Sequence, residues 1–294
     1  EMKNFVSVIL LLSCSMLTAQ IKQVVYSNVT GTGASEYEVV DVTQTADMGY
    51  LILSHMGANS QKIIVSRLDA DANIIWEVTY TASAGANGGT IKEHSNGNIV
   101  LSHTQDNQAV RVMYLDPAGV ILWVRDVSFP GEPDVSSDVG VAIDPAAAFP
   151  EFIVYGALGN AKQPYLSRLG NTGAPIWQHS YDNLQGVTSD VTITDLIVAS
   201  TGLIYCVATS PGERYILKFD ALGTLLTMKL TNTDLFSIIE ASNGNIIVAG
   251  SRNDLFGGKD AAYMVLDPVN LDIIDSKSFG STNNEVVTDI LENA

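Results

Sequence analysis

The amino-acid sequence predicts an all-β fold that is built from a repeated unit, and three observations lead to this prediction. A phrase ending in Trp recurs at intervals of roughly 50 residues. A second phrase, centred on a tight turn, recurs between the copies of the first. Each period contains four short runs rich in Val, Ile, Leu and Tyr, and Gly, Asn and Asp residues separate these runs, as is typical of strands and turns.

The Trp phrase is complete in three repeats and degraded in two more. Its copies are SRLDADANIIW (66–76), MYLDPAGVILW (113–123), SRLGNTGAPIW (167–177), LKFDALGTLLT (217–227) and VLDPVNLDIID (265–275), the last with one inserted residue. Trp76, Trp123 and Trp177 recur at the repeat period inside apolar runs. We therefore expect these side chains to pack between neighbouring repeats rather than to stack on a ligand.

The second phrase marks a hairpin turn in each repeat. Its copies are ADMGYLILSH (46–55), SNGNIVLSH (95–103), a divergent version around 150–156, STGLIYCVA (200–208) and SNGNIIVAG (242–250). The Asn-Gly pairs at Asn96-Gly97 and Asn243-Gly244 suit the positive φ angles of a tight hairpin. Asp116 and Gly119 predict a second tight turn, between the third and fourth strands of a repeat.

Four strands in each period of 40 to 50 residues are typical of a β-propeller blade. The sequence predicts five complete blades, at about 37–80, 89–129, 138–181, 190–231 and 236–279. A partial sixth blade begins at 285–294, so the propeller is expected to be incomplete at its C-terminus. The run 22–30 resembles an isolated fourth strand, which would complete that sixth blade. A parallel β-helix is the alternative fold, although its coils are shorter and its turns less hairpin-like.

The N-terminal residues have the pattern of a secretory signal peptide. Lys3 precedes an apolar run at 5–12 that is too short to span a bilayer, and Ala19 suits signal peptidase. We expect cleavage before Gln20, which divides the chain into a signal peptide (1–19) and a propeller domain (20–294). The alternative is a lipoprotein signal with Cys14 as the anchor. Either way, the predicted location is outside the cell, secreted or on the outer surface.

Composition narrows the possible partners. The 15 Lys and Arg residues against 32 Asp and Glu residues give a net charge of −17. This charge argues against a nucleic-acid partner, which requires a basic surface. No later stretch reaches the length of a transmembrane segment. We also expect a monomer. Cys206 lies in an apolar run and is expected to be a buried, unreactive thiol.

The last repeat resembles a known family. GGKDAAY at 257–263, SFGS at 278–281 and Asn284-Glu285 are similar to the blades of secreted β-propeller repeat proteins exported as type IX secretion cargo. The resemblance covers 37–294 and implies export and a propeller fold more than any activity. The LDxxGxxxW phrase is also similar to the PQQ-like repeats of quinoproteins, but it fixes a turn and a Trp and binds no cofactor by itself.

A search for catalytic and metal motifs identifies no catalytic residue and predicts no cofactor. No HExxH, GxSxG or EF-hand pattern is present in the sequence. His55 and His103 end the second strands of their blades, where we expect polar residues at a strand exit rather than metal ligands. A Ca²⁺ ion is possible at Asn253, Asp254 and Asp260, provided that further oxygen ligands complete the site.

The predicted function is that of an exported, non-catalytic propeller that binds an extracellular protein or glycan. One face carries short, stereotyped turns that are expected to be structural. The other face, here called the loop face, carries loops that vary from blade to blade, and function concentrates on such loops. Its candidate ligand-binding residues are Asn59, Gln61, Asp106, Asn107, Asp134, Asp138, Arg214, Asn253, Asp254 and Asp260.

Two other function classes stay open. The first is a hydrolase or lyase with carboxylates from different blades at the propeller mouth, for which Asp138 and Asp190 are candidates. The second is a scaffold module of a larger surface protein. Fold alone does not decide among the three classes.

Overall fold

A computed structural model describes most of the chain as β-strands and the turns between them. The described residues are 8–10, 22–24, 37–56, 62–82, 86, 88–105, 109–128, 139–159, 163–181, 184, 190–253, 258–281, 283–285, 287 and 289–292. Within them, no helix is long and apolar enough to cross a membrane.

Twenty of the described strands form five four-stranded antiparallel sheets, here called blades 1 to 5. Two further strands, β1 (Val8–Leu10) and β2 (Lys22–Val24), pair only with each other. The strands of blade 1 are β3 (Tyr37–Gln44), β4 (Tyr50–Met56), β5 (Lys62–Leu68) and β6 (Ile74–Thr81); of blade 2, β7 (Ile91–Glu93), β8 (Ile99–Gln105), β9 (Ala109–Leu115) and β10 (Ile121–Val127); of blade 3, β11 (Gly140–Ile143), β12 (Phe152–Leu158), β13 (Gln163–Leu169) and β14 (Pro175–Ser180); of blade 4, β15 (Thr192–Val198), β16 (Ile204–Ser210), β17 (Glu213–Phe219) and β18 (Leu225–Thr231); of blade 5, β19 (Thr233–Glu240), β20 (Ile246–Asn253), β21 (Lys259–Leu266) and β22 (Ile273–Phe279).

Each blade is a simple meander, because its four strands pair in chain order. The first strands of successive blades contact one another, from β3 through β7, β11 and β15 to β19. These strands therefore line a common axis, while the fourth strands lie at the outer rim and are largely exposed. The prediction of five four-stranded units is confirmed, with boundaries close to those expected.

The predictions for the two ends have different outcomes. No strand is assigned to the described residues that follow Phe279, so the partial sixth blade stays a prediction. The run 22–30 was expected to be an outer blade strand. Only its first part is a described strand, and that strand pairs with β1 instead of with a blade. Residues 25–30 lie outside the described residues.

The predicted tight turns are present. Gly97 and Gly119 have φ angles of 83° and 81°, a conformation that glycine adopts without strain. In the turn before β10, the Oδ1 atom of Asp116 accepts hydrogen bonds from the backbone N–H groups of Ala118, at 2.9 Å, and Val120, at 2.8 Å. The Asp and Gly of the repeated phrase thus fix the geometry that joins the third and fourth strands.

The three Trp side chains join neighbouring blades, as predicted from their spacing. Each indole Nε1–H donates a hydrogen bond to a backbone carbonyl in the turn of the following blade. The donor–acceptor distances are 3.1 Å from Trp76 to Pro117, 2.9 Å from Trp123 to Asn171 and 3.1 Å from Trp177 to Ala221. The Trp rings also pack against the buried apolar side chains between the blades.

Cys206 lies on β16 in the core between blades 3 and 4 and is fully buried. Burial raises the pKa of its thiol well above the usual value, and Asp195 adds to this effect. A neutral, inaccessible thiol is the state that was expected from the apolar run around it.

Candidate functional site

The axis of the molecule carries a repeated polar position on the first strands of the blades. Equivalent residues there are Asp41 in blade 1, Thr90 in blade 2, Gly140 in blade 3, Asp195 in blade 4 and Ser237 in blade 5. The strand pairing of blades 1, 4 and 5 has a β-bulge directly at this position. A bulge redirects the side chain that follows it, and here it brings the polar group to the boundary with the next blade.

The two aspartates join their own blade to the next one. Asp41 accepts a hydrogen bond from Val42 N at Oδ1 and another from Ile91 N of blade 2 at Oδ2, both at 2.8 Å. Asp195 repeats the arrangement, with Leu196 N at 2.8 Å and Ile238 N of blade 5 at 2.9 Å. Both oxygens of each carboxylate therefore have backbone donors.

Blades 2 and 5 make the same kind of connection with hydroxyl groups. Thr90 Oγ1 accepts a hydrogen bond from Val141 N of blade 3 at 2.8 Å and donates one to Val141 O at 3.2 Å. Ser237 Oγ donates to Asp289 Oδ1 at 2.7 Å.

Blade 3 breaks the pattern, because its equivalent residue is Gly140. The phenol group of Tyr155 occupies the space, and a Cβ atom at residue 140 would lie 2.2 Å from Cζ of that ring. Burial raises the pKa of Tyr155 well above its usual value, with further contributions from Asp195 and Asp41. The phenol therefore lies among the axial carboxylates as a neutral group.

Lys92 on β7 is the basic residue among these groups. Its Nζ atom lies 3.9 Å from Asp41 Oδ2. Its side chain is 42% exposed and lines a cavity that is open to solvent. Burial acts to lower the pKa of Lys92, but Asp41, Asp195 and Asp289 outweigh this effect and raise it. The ammonium group is thus held in its charged state.

Asp195 is the most perturbed carboxylate near the axis. Burial raises its pKa to about 6, although Lys92 and the two backbone N–H donors act in the opposite direction. A carboxyl group with this pKa changes its charge close to neutral pH, and such perturbation is a feature of functional sites as well as of structural ion networks.

A cavity of about 350 Å³ lies beside this cluster. It is lined by the first strands of four blades and opens on the side of the first-to-second-strand turns, here called the turn face. Its lining residues are Thr43, Gln44, Ala46, Lys92, Glu93, His94, Ser95, Ala142, Ile143, Leu196, Ile197 and Val198.

The cavity has one polar side and one apolar side. Blades 1 and 2 contribute hydroxyl, amide, carboxylate, ammonium and imidazole groups, whereas blades 3 and 4 contribute only aliphatic side chains. Glu93 is held in place by Ala46 N at 2.7 Å and by Arg67 Nη1 at 3.2 Å. We refer to this cavity as the axial pocket.

The sequence placed its candidate residues on the opposite, loop face, and three of them are described. Arg214 forms an ion pair with Asp234 of blade 5, with 2.6 Å between Nε and Oδ1, and Lys259 contacts the other oxygen of Asp234 at 2.7 Å. Asn253 ends β20 and pairs with Lys259 in the strand register, and Asp260 pairs with Arg252. These residues therefore lie at one end of blades 4 and 5, close together.

The remaining seven candidates, Asn59, Gln61, Asp106, Asn107, Asp134, Asp138 and Asp254, lie outside the described residues. The loop-face site therefore stays a prediction, as does a Ca²⁺ ion at Asn253, Asp254 and Asp260. Across the described part of the chain, no group of three or more His, Cys, Asp or Glu residues is placed to hold a metal ion. Of the proposed catalytic pair, only Asp190 is described.

His55 and His103 are buried, at 2% and 1% exposure, although the sequence predicted polar residues at a strand exit. His103 forms a 2.7 Å hydrogen bond between Nδ1 and its neighbour's carbonyl, Thr104 O. Burial lowers the pKa of His103 to about 4, and it also lowers that of His55. Both imidazoles are therefore neutral at pH 7.

The aspartate position at the axis was missed from the sequence, although a signal for it exists. Asp41-Val42 and Asp195-Leu196 are copies of an Asp-aliphatic pair that precedes the turn phrase in two repeats, and Asp289-Ile290 is a third copy of the pair near the end of the sequence. Lys92 carries no such signal, because the equivalent residues in the other four blades are Thr43, Ala142, Ile197 and Ile239.

Comparison with known proteins supports the fold and goes no further. No protein-family model and no curated protein matches the chain. A structure of a protein of unknown function from Bacteroides caccae is similar at a TM-score of 0.52 and 14% identity, covering 78% of this chain and 72% of that one. The Dos1 propeller is similar at a TM-score of 0.55 and 12% identity, covering 83% of this chain and 58% of that one.

The WD40 domain of Neurospora crassa Pan2 is similar at a TM-score of 0.52 and 11% identity, covering 83% of this chain and 72% of that one. Together with the five meandering sheets around one axis, these similarities establish a β-propeller fold. Identities this low carry no information about activity.

Proposed function

We propose that the chain is an exported, non-catalytic binding module that holds the end of a glycan in its axial pocket. The observation that carries the proposal is the pocket itself, in which polar groups from blades 1 and 2 face an aliphatic wall from blades 3 and 4. A sugar ring has hydroxyl groups on its edge and C–H groups on its faces, and both surfaces of the pocket match it. The volume is near the lower end of the range of about 300–1,000 Å³ for ligand sites, which suits a single terminal residue.

Binding is favoured over hydrolysis because of what the axial carboxylates already do. Both oxygens of Asp41 and of Asp195 accept backbone hydrogen bonds that join neighbouring blades. A general acid or base needs an oxygen within reach of the substrate, and neither Asp41 nor Asp195 lines the pocket. The alternative, a hydrolase or lyase, is favoured by one observation, the pKa of about 6 for Asp195.

A partial sixth blade is part of the proposal. Glu240 on the first strand of blade 5 accepts hydrogen bonds from Ser200 N at 2.6 Å and Ser200 Oγ at 2.8 Å, in the turn of blade 4. Glu292 accepts the equivalent bonds from Ser242 N at 2.6 Å and Ser242 Oγ at 3.0 Å, in the turn of blade 5. The repeated contact supports 285–294 as the beginning of a first strand.

Export rests on the signal-peptide pattern at 1–19, and the resemblance to type IX secretion cargo is consistent with it. A partner protein on the loop face and a role as a scaffold module remain compatible with the axial site, because the two faces lie at opposite ends of the strands.

The test is a glycan-array screen of the purified protein followed by titration of the best ligand. Lys92→Met should weaken binding at least about tenfold, since it removes the charged donor from the pocket. Lys62→Met is the matched control, because Lys62 is exposed on β5 and does not line the pocket.

Equal affinities of the two variants would place the ligand elsewhere, and an array without any hit would reject a glycan ligand. Turnover of the ligand that is lost in Lys92→Met would favour the hydrolase or lyase alternative.

A further inference from the structure

The outer strand of each blade has one edge without a neighbouring strand, because it is the last strand of its sheet. The outer strand of blade 5, β22, is the most exposed of the five. All seven of its residues are exposed, whereas β6, β10, β14 and β18 each contain residues that are partly or fully buried. The N–H and C=O groups of an exposed edge can pair with a strand of another chain. Among the described strands, β22 therefore offers the most accessible edge to a partner strand.

β22 carries an acidic and a basic side chain on the same face. Its pairing with β21 is regular from Asp275 to Phe279, and residues two apart on a regular strand point to the same side. Asp275 and Lys277 therefore share one face, on either side of Ser276. Neither forms an ion pair with a residue that the structure describes. The Oδ1 atom of Asp275 accepts a hydrogen bond from the backbone N–H of Ser276 at 2.8 Å.

This order of residues makes the strand complementary to a second copy of itself. When two β22 strands pair antiparallel about a two-fold axis at Ser276, Asp275 of each copy lies opposite Lys277 of the other. Opposite charges directly across an antiparallel pair stabilise it, and like charges destabilise it. Both charge pairs form together, because the axis generates the second from the first.

The other four outer strands cannot form such a pair with their own copies. Residues that lie opposite each other across an antiparallel pair point to the same face, so the acid and the base must be an even number of residues apart. β14 and β18 contain no acidic residue, and β6 contains no basic residue. In β10, Arg125 and Asp126 are adjacent and point to opposite faces, and Asp126 is bound by Arg111.

We propose that the edge of β22 is a self-association site, at which two copies of this chain pair antiparallel about Ser276. The pairing joins two four-stranded sheets into one continuous sheet. The proposed dimer differs from the monomer expected from the sequence. The β-bulge that precedes Asp275 keeps the regular contact short, so the association is weak and reversible. The contact lies at the outer rim and uses none of the residues that line the axial pocket.

The test measures self-association by sedimentation equilibrium at protein concentrations up to about 1 mM, where weak interfaces are detected. The wild-type chain should dimerise reversibly. Lys277→Asp should dimerise at least about tenfold more weakly, because it places aspartates opposite each other, and Asp275→Lys should do the same by placing lysines opposite each other. Lys62→Asp is the matched control, since it makes the same change of charge at an exposed residue of β5. It should dimerise as the wild type does.

A mixture of the two variants separates the proposed contact from a loss of structure. Lys277→Asp and Asp275→Lys, mixed in equal amounts, should form a heterodimer about as tight as the wild-type dimer. In that heterodimer an acidic strand lies opposite a basic strand, so both charge pairs return. The double variant with Asp275→Lys and Lys277→Asp should also dimerise, because it reverses the order of the charges and keeps them complementary.

The proposal is overturned if the wild type stays monomeric at the highest concentration, or if Lys277→Asp dimerises as tightly as Lys62→Asp does. It is also overturned if the mixture associates no more tightly than either variant alone. The mixture decides the question even where one variant is less stable, because mixing does not restore the fold of a damaged chain.

Discussion

Lys92 Nζ lies 3.9 Å from Asp41 Oδ2, where the first strands of blades 1 and 2 meet at the axis. Asp41 is already bound by two backbone N–H groups, so its charge is compensated chiefly by hydrogen bonds, and the ammonium adds to them. The same ammonium lowers the pKa of the more distant Asp195. One cation therefore acts on carboxylates from different blades, and its removal should change the electrostatic environment of each of them.

The first prediction concerns the pKa of Asp195. Lys92→Met should raise this pKa above its value of about 6, because the ammonium is the largest influence that lowers it. The measurement is the pH titration of the Asp195 carboxyl carbon by NMR in the variant and the wild type. An unchanged or lowered pKa in Lys92→Met would show that the two groups are not coupled.

The second prediction concerns the pH dependence that Asp195 gives to folding. Its pKa is raised from 3.8 to about 6 in the folded state. The stability linked to this group is therefore fully present below pH 3.8 and is lost as the pH rises through about 6.

Asp195→Asn does not ionise, so its free energy of unfolding relative to wild type should increase between pH 5 and 7. Urea unfolding at several pH values measures the difference. A difference between the two proteins that stays constant over this range would contradict the prediction, whatever its size.

The third prediction concerns acid unfolding and has the opposite sign. The pKa of His103 falls from 6.5 to about 4 on folding, because burial disfavours the imidazolium. The stability linked to it is fully present above pH 6.5 and is lost as the pH falls toward 4. The loss is on the order of 2–3 kcal/mol, since one pKa unit corresponds to about 1.4 kcal/mol.

His103→Gln removes this titration, so its stability should fall less than that of the wild type between pH 7 and 4.5. His94→Gln is the control, because His94 lies in the turn between β7 and β8 and is only half-buried. If the control reduces the acid sensitivity as much as His103→Gln does, the effect does not come from burial.

The fourth prediction concerns the Trp side chains between blades. Trp123→Ala should destabilise the protein by about 2–4 kcal/mol, somewhat less than a fully buried Trp, because the ring is only partly buried. The variant loses the packing against Tyr114 and Phe152 and the hydrogen bond to Asn171 O. Trp123→Phe should recover most of the packing but not the hydrogen bond. Its stability should therefore lie between that of the wild type and that of Trp123→Ala. Thermal unfolding by calorimetry measures the order, and equal losses would reject the assigned role of the ring.

The repeated phrases allowed most of the scaffold to be predicted from the sequence. The Asp116–Gly119 turn and the Trp123 contact depend on residues close in the chain or on one repeat period, and both are visible as patterns. The axial pocket could not be predicted in this way. It depends on Lys92, which interacts electrostatically with Asp195 of another blade, and Lys92 occupies a position at which the repeats differ. The loop-face candidates were chosen because the loops on that face differ from blade to blade. Such variation alone does not show which face binds a ligand.

The last prediction concerns Gly140, the one described blade position at the axis without a polar side chain. A Cβ atom there would lie 2.2 Å from the ring of Tyr155, which is 3% exposed and cannot move aside into solvent. Gly140→Ala should therefore destabilise the protein by about 1–3 kcal/mol through overpacking. Tyr155→Val removes the obstructing ring and has its own cost, because it leaves a cavity. In the double variant the methyl group occupies part of that cavity. The cost of Gly140→Ala should then be smaller in the Tyr155→Val background than in the wild type, and a double-mutant cycle of urea unfolding free energies measures this coupling. Additive losses would mean that the glycine is needed for the backbone of β11 and not for the packing of Tyr155 against it.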